Sequence, residues 1–170
     1  MIKHKVSART ATDLLHIFYP DFVEIDGSVF LAWEKPKKIS DPENGLDHIG
    51  MESFVNHTHM IDLFKHKADR KPKDENDDCF YDIEHPDFLL LCQLGKSIAE
   101  IWFQKLKADF PQYEFRVYYT QEDNPIVRFH RVRINEPNWI DEEQCIEDIK
   151  QKKIIIHDTR YESKKQGSAQ

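Results

Sequence analysis

Pro86 and Pro111 bracket the most demanding stretch of this chain. Between them Phe88, Leu91, Cys92, Gly95, Ile98, Ala99, Trp102 and Leu106 recur at three- and four-residue spacings, and Leu90, Leu94 and Ile101 widen the stripe. That period is helical. Proline suits a first turn, where its missing N–H would be unpaired anyway, and Asp87 favours the positive end of the dipole. Lys105 and Lys107 suit the opposite end. The spacing predicts a helix over 86–109 with an apolar face too wide for a surface element, so the remaining chain must fold around it. Gly95 inside the stripe reads as a point of close packing.

Strand signals flank this helix on both sides. Asp26–Gly27 joins two apolar, β-branched runs between Phe22 and Trp33, a strong hairpin signal because a two-residue turn needs positive φ. Tyr113, Phe115, Val117 and Tyr119 alternate with Glu114, Arg116, Tyr118 and Thr120, and a turn at 122–125 leads into a second strand over 126–134. Ile154–Ile155–Ile156 is a last strand. Shorter helices are expected at Thr10–Phe18, capped by Thr10 or Thr12, over 46–64, and over 139–150 capped by Asn138. The segments 34–45 and 65–78 read as loops, the latter a mobile loop or linker. These elements imply an α+β fold, an antiparallel sheet from two β-hairpins packed against a long central helix and shorter helices. One domain over 1–162 and a disordered tail over 163–170 are expected.

Composition narrows the function classes. A chain of 170 residues can hide roughly two thirds of its unfolded surface. Charged residues make up 32%, with only five Gly and three Cys, which excludes collagen-like, disulfide-scaffold and wholly disordered classes. The net charge of −7 lies in the middle of the sequence, where residues 41–100 carry six basic and fourteen acidic groups. Nucleic acid is therefore not an expected partner. The short basic clusters Lys35–Pro36–Lys37–Lys38 and Arg70–Lys71–Pro72–Lys73 lack interleaved aromatics that would stack bases. Cys79, Cys92 and Cys145 share no CxxC spacing, which points to a reducing compartment, the cytoplasm. The N-terminal MIKHKVSARTATDLL has no continuous apolar core, so no secretory signal is expected, nor any membrane span.

No sequence motif specifies a reaction, and no catalytic residue can be named. GxGxxG, P-loop, GxSxG, HExxH and CxxC patterns are absent. Asp74, Asn76 and Asp78 match the first ligand positions of a calcium loop, but Cys79 stands where Gly is needed and His85 where a bidentate Glu is needed. His57 and His59 would chelate a metal from a strand. On the expected 46–64 helix they diverge by about 200°, leaving only His59 and Asp62 on one face. No metal or cofactor is expected on that ground.

The cationic groups of the second hairpin are the candidate ligand residues: Arg116, Arg128, His130 and Arg131. In either register at least one projects among apolar neighbours and needs an acceptor, whether an internal carboxylate such as Glu114 or a bound anion. Asp74, Asp77, Asp78 and Trp139 are the candidate partner-binding residues. The leading expectation is an acidic binding or regulatory protein acting through protein–protein contacts. The alternative is a small-ligand or enzyme domain whose anion-accepting cleft is floored by the 113–134 hairpin.

Overall fold

Ser7 starts the first helix. In the computed structural model, which describes residues 5–34, 36–71, 80–121 and 124–160, its hydroxyl accepts from the Thr10 backbone N–H at 3.0 Å, and α1 runs Ala8–Phe18. The cap thus precedes the expected Thr10 or Thr12. Thr12 is already inside the helix, where its hydroxyl donates to the Ala8 carbonyl at 3.0 Å. Strands β1 (Phe22–Ile25) and β2 (Ser28–Leu31) pair antiparallel with Ile25 opposite Ser28. Asp26 (φ 47°) and Gly27 (φ 78°) make the two-residue turn, whose positive φ values match the strand twist.

The single helix expected over 46–64 is instead three elements. Helix α2 (His48–Val55) is capped by Asp47, β3 is Thr58–His59 and α3 is Met60–Leu63. Asn56 ends α2 for a tertiary reason. Its buried carboxamide accepts from the Leu31 N–H at 3.0 Å and donates to the Val29 carbonyl at 2.8 Å, so it completes the edge of β2. Part of the expected linker is also packed. Ala68 is fully buried, and the Arg70 and Asp82 N–H groups donate to the Phe80 and Ala68 carbonyls. Residues 72–79, with the calcium-like run and Asp74, Asp77 and Asp78, lie outside the described residues, as do 161–170 with the expected tail.

Helix α4 spans Pro86–Asp109, with His85 Nδ1 accepting from the Asp87 N–H at 3.1 Å. Strands β4 (Phe115–Gln121) and β5 (Pro125–Arg131) form the second hairpin. The expected 139–150 helix shrinks to α5 (Ile146–Lys150), because Asp141 takes over as the local acceptor for the N–H groups of Glu143 and Gln144. Strand β6 is Ile154–Asp158.

Each hairpin belongs to its own sheet: a two-stranded β1–β2 and a four-stranded antiparallel sheet in the order β3–β5–β4–β6. Helix α4 packs on the face of the larger sheet carrying Phe115, Val117, Tyr119, Val127 and Phe129, which completes an α+β architecture. Trp102 lies at the centre, fully buried, edge-on to Phe129 at 6.2 Å, with its Nε1 donating to the Ile17 carbonyl. Gly95 is required here. A Cβ at that position would stand 2.8 Å from Tyr119 Cε2, closer than packed atoms allow, and a tight 3.2 Å from Met60 Cγ. No helix among the described residues is long and apolar enough to cross a membrane.

Candidate functional site

The β4–β5 register decides what the hairpin cations can do. Arg116 pairs with His130 and Tyr118 with Arg128, so these groups share the face turned away from α4. Arg131 pairs with Phe115 and projects on the opposite face. The four candidate ligand residues are therefore split between two faces. The segment between β5 and β6 covers the first of them.

Each of these groups has local partners. The buried Arg116 guanidinium donates from Nε to Asp158 at 2.5 Å and from Nη2 to Glu142 at 2.6 Å. Its acceptors are these two carboxylates rather than Glu114. Asp158 also receives Arg160 Nη2 at 2.7 Å. Burial opposes the Asp158 charge, but the Arg160 and Arg116 hydrogen bonds outweigh it and hold the carboxyl below its ordinary pKa. Arg131 donates to the Gly27 carbonyl at 2.7 Å and lies 3.6 Å over the Tyr113 ring. Arg128, half-buried, stacks 5.0 Å over Trp139, which is 40% exposed.

His130 is fully buried. Its Nδ1 faces the Arg131 carbonyl at 3.0 Å, and since a carbonyl only accepts, Nδ1 carries the proton. Nε2 then accepts from the Tyr118 hydroxyl at 2.9 Å. Burial, helped by the nearby arginine charges, pushes the imidazole pKa down to about 4. A depressed histidine contributes full stability above its unfolded pKa of about 6.5 and loses it as pH falls from there to about 4. The unfolding free energy from urea titration should therefore drop between pH 7.5 and 4.5, by about 2–3 kcal/mol from this group. His130→Gln should flatten that slope; an unchanged slope would remove His130 as its source.

The open site lies elsewhere. A cleft of about 420 Å³ is bounded by Trp33 and Glu34 after β2, Phe54 on α2, His57 and His59 around β3, and Asp62 on α3. It exists because Thr58 and His59 pair with Val127 and Ile126 at the edge of the larger sheet. The link is extended, so residues two apart project together rather than diverging as they would on a helix. The His57 and His59 rings accordingly lie 5.0 Å apart at 71°. This is the main departure from the sequence reading: His57, His59 and Asp62 line one cleft.

Both imidazoles are anchored from behind. His57 Nδ1 meets the Phe54 carbonyl, so it carries the proton and leaves the Nε2 lone pair free of it. His59 Nδ1 meets the Asn124 carboxamide. Burial lowers the His59 pKa, the His57 and Arg128 charges add to that, and the Asp62 carboxylate opposes them. The net shift favours the neutral ring, the form that can accept a hydrogen bond or ligate a metal. Among the described residues no three His, Cys, Asp or Glu side chains form a ready metal cluster.

Sequence reasoning missed Glu52 and did not single out its partner Arg133 among the hairpin cations. Glu52, fully buried, accepts from Val29 N at 2.7 Å and Arg131 N at 2.9 Å, and pairs with Arg133 Nη1 at 2.7 Å. It ties the two sheets together. Its sequence signal, a carboxylate inside the apolar run Met51–Val55, is weak. No protein-family model, curated protein or solved structure matches this chain.

Proposed function

We propose that the protein binds a small ligand in the cleft between Trp33, Phe54 and the His57–His59 link. The observation that carries this reading is the convergence of two scaffold-anchored imidazoles on one open cleft walled by aromatic rings. Concave sites with an apolar wall and a few convergent polar groups are the usual form of small-molecule sites. Trp33 and Phe54 are 43% and 56% exposed, an apolar wall that a flat ligand would cover. The carboxylates of Glu34 and Asp62 favour a ligand whose polar end donates hydrogen bonds, such as a heteroaromatic amine. A reducing compartment, the cytoplasm, suits Cys92 and Cys145, which carry free thiols.

An NMR screen of heteroaromatic amine fragments tests this. Hits should shift the Trp33 indole and the His57 and His59 ring signals together. Phe54→Ser should weaken them about tenfold, the scale of one aromatic contact. Shifts scattered over the surface, or confined to the groove of Ile149, Ile154 and Ile156, would contradict the reading.

A second reading, contact with a protein partner, is favoured by the exposure of Trp139 and Ile146 (51%) on the segment covering the sheet. Charge reversal at Asp74, Asp77 and Asp78 with Trp139→Ser should weaken a co-purifying complex and reduce its salt dependence. A complex indifferent to both changes removes this alternative.

A further inference from the structure

We infer that His57 and His59 together ligate a divalent transition-metal ion of borderline softness, zinc being the type, through their Nε2 atoms in the cleft. The inference rests on reading that cleft as the binding site, and it names what the imidazoles do there.

The first support is spacing. With a metal–nitrogen bond of about 2.0–2.1 Å, each ring centre lies roughly 3.2 Å from the ion, and a near-tetrahedral angle puts the two centres roughly 5 Å apart. The rings stand 5.0 Å apart. The two rings, one on each side of Thr58, line the same cleft.

The second support is the outer layer of hydrogen bonds. Metal-bound histidines characteristically tie the other ring nitrogen to a carbonyl or carboxylate, which fixes both orientation and tautomer. His57 does this through the Phe54 carbonyl. At His59 the Asn124 carboxamide occupies the same place, with Nδ2 towards the ring and Oδ1 buried without a hydrogen-bond partner. A half-turn of that carboxamide exchanges two nearly isosteric atoms. Oδ1 then accepts from the ring Nδ1–H, the orphaned oxygen is satisfied, and the His59 Nε2 lone pair is released towards the ion. One movement resolves the buried polar defect and completes the pair.

Two protein ligands leave coordination positions open. Asp62 lines the same cleft and supplies negative charge near the ion. Water, or an electron-pair donor on the bound molecule, fills the rest, as in open rather than structural sites.

Isothermal titration of the metal-free protein with zinc chloride provides the test. One equivalent should bind with micromolar or tighter affinity. His57→Gln and His59→Gln should each weaken binding about 100-fold or more, while Asn124→Leu should weaken it about 10–100-fold through loss of orientation. His66→Gln, whose ring packs on Tyr81 at 5.8 Å outside the cleft, should titrate as the parent does. Circular dichroism of each variant separates lost binding from lost fold, and Asn124→Asp, which keeps an acceptor behind His59, should bind at least as tightly as the parent. Zinc binding that is absent, or unchanged in both folded histidine variants, overturns the metal assignment. The fragment shifts of the metal-free cleft are read independently, so they would show whether the ligand reading falls with it.

Discussion

Glu52→Ala should cost about 3–5 kcal/mol, the scale of breaking a buried ion pair from one side. The side chain is fully buried, and its two oxygens take the N–H groups of Val29 and Arg131 and the guanidinium of Arg133. Alanine would leave two backbone donors and a nearly buried cation without that acceptor, and each unsatisfied group carries its own desolvation penalty. A loss of this size is a large share of the roughly 5–15 kcal/mol that holds a domain together. Glu52→Gln keeps the shape and one acceptor oxygen, so it should fall between the two. Urea unfolding measures both. A Glu52→Ala cost within about 1 kcal/mol would mean that the two sheets do not depend on this carboxylate.

Asp158→Ala should be comparably damaging, again about 3–5 kcal/mol. Asp158 is buried on β6 opposite Arg116, whose remaining carboxylate partner among the described residues, once Asp158 is gone, is the 40% exposed Glu142. The sign with pH is set by the lowered pKa of Asp158: its contribution is present above the ordinary carboxylate range and fades as pH falls through the lowered value. Replacing both partners with apolar residues of similar volume, Arg116→Met with Asp158→Leu, should recover much of the loss, because neither buried charge then remains. Arg116→Ala alone should destabilise the fold. Loss of an anion's binding in a stable Arg116→Ala variant would restore the hairpin as a ligand floor.

Local signals made the scaffold legible. A helical period sustained between Pro86 and Pro111, the Asp26–Gly27 turn, and strict alternation from Tyr113 to Thr120 each agree with their own short-range chemistry. The elements that escaped are decided at a distance. Asn56 stops α2 because its partners lie 25 and 27 residues away on β2, and Glu52 is buried because its partners lie 23 and 79 residues away. The concentration of cations in the second hairpin was visible, but the Arg116 acceptors, 42 and 26 residues on, were not. The cleft was half legible. The His-x-His spacing at 57–59 was plain, yet its meaning depends on whether the link is helical or extended, and pairing with β5 decides that.

Ligand and metal readings alike require that His57 and His59 be held through Nδ1 and present Nε2 lone pairs to the cleft. A long-range 1H–15N correlation spectrum of the ring nitrogens, recorded on the metal-free protein near pH 7.5, measures this directly. Both rings should carry their proton on Nδ1, the minor tautomer of a free imidazole. Nε2–H tautomers at both positions, or averaged signals from freely turning rings, would contradict the central claim.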